Sequence, residues 1–534
     1  MTQTHFPLYG SERRLLPGAV AVGRANANAV IEVSLKLKRK AALPPLTERP
    51  TEILTRERLA ETYGASQADV DKVSQVFAGF GLQTIASHPG TRTLKLRGTI
   101  AAMERAFDVR LFRYSHPEGG YRGRVGSINV PEEVKDLVKG VFGLDNRRVA
   151  HRRRRGARDA SSPHSSVPAA WYIPSELATR YKFPAGDGSG QTIALLEFGG
   201  GYFPADLKQF CSLANIAAPP SVTPISVDGT ATDSTDDTVT EVMLDIEVLA
   251  GICEKSKIVV YFASFGEQGW IAALDAVVRD KVNAPRVLSI SWGAPEDGEF
   301  WTQQGQSQID ESLQELAHLG VTVCVASGDD GSSDGVTDGL AHVDYPGSSP
   351  YVLSVGGTTI LSKGSTQPDV VWKEADGLTA DQHGSTGGGV SAKYPRPTWQ
   401  NGINIAPVNP GAIIGRCVPD VSVNADWTVS PYLLVANGSP QSNGGTSAAS
   451  PLVAALITLI NAQRPATNPV GWLTPVLYKP SSTAGLTIGA AGCTDVSSGD
   501  NITAHNGGFK ASPGYDAASG WGTPIGTRLM QELP

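Results

Sequence analysis

Five short runs, at residues 192–197, 257–263, 286–291, 321–326 and 352–355, are apolar on both faces, and segments of helical periodicity occupy 238–252, 270–281, 307–319 and 447–461. A strand without a polar face has to be covered on both sides. The pattern therefore restricts this part of the chain to a parallel sheet enclosed by helices, an α/β fold. We assign residues 171–534 to one such domain. Residues 1–150 read differently, with helices expected at 55–63, 67–77 and 99–107 and strands at 82–86 and 93–96, a small α+β unit. Residues 151–170, rich in Arg, Pro, Ser and Ala, read as a linker.

Over 534 residues, 40% hydrophobic and 18% charged describe a chain with a large core and exclude the disordered and coiled-coil classes. No run approaches the roughly 18 apolar residues of a membrane-spanning helix, so no membrane partner is expected. The net charge of −7 hides an asymmetry: residues 1–160 carry 28 Lys and Arg against 16 Asp and Glu, residues 161–534 carry 17 against 36. Opposite fields in one chain point to one segment docking on the other, ahead of a basic arm for nucleic acid. Only His151-Arg152-Arg153-Arg154-Arg155 is an uninterrupted basic run, and it suggests a processing site within the linker. Cys211, Cys253, Cys324, Cys417 and Cys493 have neither CxxC nor metal spacing and are expected as small buried residues. No signal peptide is recognisable in residues 1–40, and Asn437 and Asn501 begin glycosylation sequons.

Chemistry concentrates in Gly444-Gly445-Thr446-Ser447-Ala448-Ala449-Ser450-Pro451, which runs into an apolar helix. The glycines allow a tight turn, Pro451 is expected in the first helical turn, and Ser447 then sits where free N–H groups favour developing negative charge. An ordinary N-cap serine is the alternative. Beyond the linker, His318, His342, His383 and His505 stand in no His-Gly-x-His helix start, so a histidine base is not expected. Glu241 and Asp245 instead lie at i and i+4 of one helix face among apolar residues. Two carboxyls on a face can share a proton, which raises the pKa of one, and a carboxylate base for serine makes sense only in acid. A solvated acidic face is the competing reading. Asp329 follows the 321–326 strand in Ser327-Gly328-Asp329-Asp330-Gly331, the kind of strand end at which parallel α/β folds place their sites.

Together these segments resemble the sedolisin family of serine-carboxyl peptidases, kumamolisin-like members in particular, over nearly the whole chain. Phe142-Gly143-Leu144-Asp145-Asn146-Arg147-Arg148 is similar to the family's propeptide, and Leu196-Glu197-Phe198-Gly199-Gly200-Gly201-Tyr202, Ser289-Ile290-Ser291-Trp292-Gly293 and Gly387-Gly388-Gly389-Val390-Ser391 to landmarks of its mature domain. The resemblance implies a subtilisin-like fold for residues 171–534, with the Glu241 helix in the place of the subtilisin histidine helix, and an inhibitory propeptide in residues 1–150. It makes Ser447 the nucleophile, Glu241 the general base, Asp245 the group orienting Glu241, and Asp329 the oxyanion partner. It also implies that Trp292 and Gly387, Gly388 and Gly389 line the substrate cleft, with Asp344 a cleft acid favouring basic residues. One structural Ca²⁺ is implied at carboxylates of Asp495 and Asp516 and carbonyls of Val496, Ser512 and Gly514, hard oxygen ligands that suit this ion.

The expected function is that of a secreted, monomeric, acid-active endopeptidase that hydrolyses proteins or peptides and is made as a self-processing zymogen. Protonated Asp329 would donate to the oxyanion, so activity should fail as pH rises. A tripeptidyl exopeptidase of the same family is the nearest alternative. A catalytically silent, calcium-stabilised binding protein is the alternative from another class.

Overall fold

The first domain is built on an antiparallel sheet of order β2-β3-β1-β4, from β1 (Val30–Leu37), β2 (Gln83–His88), β3 (Thr93–Thr99) and β4 (Val138–Phe142). Helices α1 (Arg56–Tyr63), α2 (Gln67–Ala78) and α3 (Ile100–Phe107) fall where periodicity places them, because each start is capped: Thr55, Ser66 and Thr99 accept from the backbone N–H three residues on. Val33, Leu35, Phe77, Leu94, Leu96, Met103 and Phe107 close the core. Strands at His5–Pro7, Val20–Arg24, Phe112–Ser115 and Tyr121–Gly123 had no sequence signal, being short and paired at edges. The computed structural model describes residues 4–117, 119–149, 151–152, 167–374 and 384–534, so most of the expected processing stretch lies outside the described residues. So does His383.

The linker contributes β5 (His151–Arg152). The second domain then follows with β6 (Thr192–Phe198), β7 (Ser221–Ser226), α4 (Val239–Ala250), β8 (Lys257–Ala263), α5 (Glu267–Arg279), β9 (Val287–Ile290), β10 (Trp292–Pro295), α6 (Gln303–His318), β11 (Thr322–Ala326), β12 (Asp344–Tyr345), β13 (Leu353–Thr359), β14 (Val370–Val371), β15 (Gly389–Pro395), β16 (Val421–Asn424) and α7 (Thr446–Ala462). Its main sheet runs β7-β8-β6-β9-β11-β13, all parallel, with β16 parallel to β13 and a short antiparallel β14 beside it. Along β6, Ile193 and Leu195 face the core beneath α4 and α7, while Ala194, Leu196 and Phe198 face α5 and α6. All five cysteines are buried free thiols. Asn437 is exposed, whereas Asn501 is buried and bonded to Phe509 N and Gly388 O, which removes it as a glycosylation site.

The first domain sits on α5 and α6. Lys36 meets Asp275 at 2.9 Å with both side chains buried, Arg13 meets Glu267 at 2.8 Å, and Arg39 and Arg92 meet Glu315 and Glu311 at 2.7 Å. Part of the charge asymmetry of the sequence is thus met by specific pairs at this face, the Lys36–Asp275 pair fully buried.

Candidate active site

Ser447 is the second residue of α7, which starts after Gly445 at φ +87°. Pro451 stands inside this helix, five residues beyond its first, and not in the first turn as expected from sequence. Its ring has no N–H to give to the carbonyl four residues back, and that carbonyl belongs to Ser447. Ser291, between β9 and β10, supplies the missing donor: its Oγ is 3.2 Å from Ser447 O and 3.0 and 2.8 Å from the two oxygens of Asp245. One hydroxyl proton cannot serve three acceptors. With one proton, Ser291 donates to Ser447 O or to Asp245, and burial, reinforced by Glu197 and Glu241, pushes the Asp245 carboxyl well above its ordinary range, which weakens its claim on that proton.

Every side chain of α4 is buried, including Glu241 and Asp245. The solvated-face reading of this helix is thereby excluded. Glu197, near the end of β6, accepts from Trp292 Nε1 at 2.9 Å and interacts electrostatically with Asp245 and Glu241. Its pKa is pushed up to about 8, chiefly by burial and then by the nearby Glu241 charge. Sequence reasoning gave Glu197 no role. The available signal was a lone carboxylate ending an otherwise apolar buried strand. The Trp292 ring is fully buried, edge-on to Phe198 and Phe265.

Asp329 follows β11 and approaches the start of α7 from the other side. Its Oδ1 accepts from Thr446 N at 2.8 Å and Thr446 Oγ1 at 2.6 Å, while Oδ2 has no hydrogen-bond partner among the described residues. Burial, aided by Asp330 and Glu241, raises its pKa to about 8 against the opposing Thr446 bonds. No Lys or Arg pairs with Glu197, Asp245 or Asp329 among the described residues. The start of α7 is thus ringed by carboxyls whose pKa values burial raises.

The linker strand β5 pairs antiparallel with β10, His151 opposite Gly293 and Arg152 opposite Trp292, and Asp344 of β12 pairs with Pro295 on the other edge of β10. Asp344 is buried, and a Cβ at Gly293 would lie 2.0 Å from its Oδ1. The Gly387 to Gly389 run braces the Asp329 loop from behind: Gly387 N donates to Gly328 O at 2.8 Å, and a Cβ at 387 would lie 1.9 Å from Ser327 O. Gly387→Ala should therefore cost roughly 2–4 kcal/mol of stability and lower kcat more than it raises KM, because the Asp329 loop must move; thermal melting and steady-state kinetics check this.

The C-terminal acidic loops also meet. Gly514 N donates to Asp495 Oδ2 at 3.1 Å, and Asp516 accepts from the backbone N–H groups of Ser512, Ala518 and Ser519. Asp516 is buried, which raises its pKa, and neither carboxylate forms an ion pair with Lys or Arg among the described residues. No group of three His, Cys, Asp or Glu side chains is placed to hold a metal ion among the described residues, so a cation here would depend on backbone oxygens such as Val496 O, a donor set for a hard ion.

Residues 17–147 match the family described as Pro-kumamolisin, activation domain, and residues 226–522 match the Subtilase family. Kumamolisin of a Bacillus species is 39% identical, the alignment covering 98% of this chain and 96% of that protein. The chain belongs to the sedolisin family of serine-carboxyl peptidases. Among other sedolisin-family relatives, tripeptidyl-peptidase sed5 of Aspergillus fumigatus is 28% identical over 99% of this chain and 97% of its own length. The solved Pseudomonas sedolisin, a serine-carboxyl proteinase complexed with two molecules of pseudo-iodotyrostatin, superposes with a TM-score of 0.58 at 27% identity, covering 68% of this chain and 98% of that one. The sedolisin-family chain described here is thus a serine-type peptidase of subtilisin-like fold, preceded by an activation domain. No helix among its described residues is long and apolar enough to cross a membrane.

Proposed function

We propose that this chain is an acid-active endopeptidase, made as a zymogen that cuts itself in the linker. Ser447 attacks the peptide carbonyl, Glu241 takes its proton, Asp245 holds the shared proton next to Glu241, and protonated Asp329 donates to the oxyanion, a contact worth about 10² to 10³ in rate. The observation that carries this reading is Asp329, buried beside the start of the nucleophile helix with its pKa raised to about 8 and Oδ2 available. An ionised Asp329 would repel the same oxyanion.

Endopeptidase action is supported by the linker strand on β10, whose N-terminal side continues into a whole domain. A chain that runs on in that direction favours internal cleavage over release from a free N-terminus. Asp344 beside β10 and the basic run at residues 151–155 favour basic residues near the scissile bond. The test is to hold the purified precursor at pH 4 and pH 7 and follow chain mass and hydrolysis of an N-blocked polypeptide. Internal cuts at pH 4 alone are expected, and release of tripeptides only from unblocked substrates would replace this reading by the exopeptidase one.

We place the enzyme outside the cell as a monomer. Asp495, Val496, Ser512, Gly514 and Asp516 would hold one Ca²⁺, which would tie the two C-terminal loops together and neutralise their carboxylates. Chelation should then lower the melting temperature by roughly 5–10 °C, and calcium, not magnesium, should restore it.

A further inference from the structure

Between β1 and α1, residues 38–55 form an arm without helix or strand that leaves the ionic face on α5 and α6 and crosses the end of the main sheet where strands begin. Glu197, Ser291 and Asp329 lie at the opposite end, where strands finish. The arm is held by Leu54 N to His318 O at 2.9 Å, His318 Nε2 with Pro44 O at 3.1 Å, and Arg49 Nη2 to Asn468 Oδ1 at 2.5 Å and Pro469 O at 2.6 Å. Ile53 packs on Gly320, where a Cβ would come within 2.8 Å of its Cδ1.

The two surfaces are held by different chemistry. On the ionic face every contact joins a Lys or Arg of the first domain to a carboxylate, Asp275, Glu267, Glu311 or Glu315, so its hold depends on paired charge. Arg39, at the root of the arm, belongs to the ionic face through Glu315; beyond it the arm is held by carbonyl and amide oxygens, which do not titrate, and by the His318 ring. Of the charged groups facing the arm, Arg464 lies near Arg49, and Arg286 and Asp280 near Arg56, with backbone and side-chain bonds holding the Asp280 carboxyl below its ordinary range. Glu48 with Lys479 and Glu57 with Lys281 are exposed pairs that contribute little. His318 has Arg39 and Glu315 nearby, and on taking up a proton it still donates Nε2–H to Pro44 O.

The geometry points to a second docking surface on the peptidase domain, formed around His318, Gly320 and Asn468, that takes the extended proline-containing arm and keeps hold of it in acid. When the linker is cut and the ionic face opens at low pH, the propeptide stays tethered at the far end of the sheet. On return to neutral pH it re-docks at the high effective concentration of a tethered ligand. This inference rests on the reading of residues 1–150 as an inhibitory propeptide.

The experiment uses the full-length Ser447→Ala precursor with a recognition sequence for an added site-specific protease placed within residues 156–165. After nicking, gel filtration with mass detection at pH 7 and pH 4 reports whether residues 1–155 stay bound. The nicked parent should hold its propeptide at both values. Arg49→Ala/Ile53→Ala should hold it at pH 7, which also shows the variant is folded, and shed it at pH 4 with at least tenfold weaker binding. Asp275→Asn should weaken binding at pH 7 and leave pH 4 unchanged. Separation of the nicked parent at pH 4, or equal retention of parent and arm variant there, overturns the inference. A propeptide that remains bound in this way but fails to inhibit the active peptidase at pH 7 refutes the inhibitory reading and leaves the docking surface standing.

Discussion

Replacing Ser447 by alanine should give a folded, full-length precursor that stays uncut at pH 4 and has lost at least about 10⁴ in kcat/KM, as removal of a nucleophile does elsewhere. The fold should survive, since alanine suits the second position of α7 and the carbonyl held by Ser291 is main chain. Glu241→Gln should behave almost alike at every pH, because an amide cannot accept the serine proton. Intact mass after acid incubation of each purified variant is the measurement. Normal self-processing of the alanine variant in isolation would take Ser447 out of the mechanism.

The peptidase domain should also melt roughly 10 °C higher at pH 4.5 than at pH 7.5. Burial raises the carboxyls of Glu197 and Asp329 to about 8, Glu296 and Glu374 to about 7, and Asp310 to about 6. A folded-state pKa above the unfolded one means stability that is fully present below about pH 4 and is lost as pH rises through the folded value. Carboxyls such as Asp236, Asp280 and Asp500 are held below their ordinary range and act in the other direction, losing their contribution as pH falls through their folded values. The optimum therefore lies in mild acid. Scanning calorimetry on the Ser447→Ala peptidase domain, freed by an added protease that cuts in the linker and separated from residues 1–155, decides the matter, and Asp329→Asn should flatten the profile by removing one titrating group. A flat curve, or a higher melting temperature at pH 7.5, would contradict the whole carboxyl assignment.

Much of this was legible before any coordinates. The parallel sheet was readable because its strands are apolar on both faces, and α1, α2 and α3 because local capping residues fix where each begins. Glu241 and Asp245 were readable as a pair because helical spacing is a local property. Ser291 and Glu197 stand in recognisable motifs but their roles were not readable, since each acquires its partner across 46 or more residues. Pro451 was placed one turn too early because its usual home in a first turn is a statistical preference, which a side-chain hydroxyl from another strand overrides here. Trp292, expected in the cleft, contributes its backbone to the linker strand and its ring to Glu197, a division of labour that sequence does not encode.

The proline in α7 has a mechanical consequence. Because the Ser447 carbonyl is fastened by Ser291 in place of a backbone amide, the first turn of α7 is coupled to the rest of its helix partly through a side chain that also touches Asp245. Once Asp245 ionises, the single Ser291 proton turns to it and the carbonyl is released. Fraying of the backbone at Ser447 and ionisation of Asp245 are then one event, so loss of activity at raised pH should be accompanied by faster amide hydrogen exchange confined to the opening of α7, while the buried remainder of that helix keeps its protection.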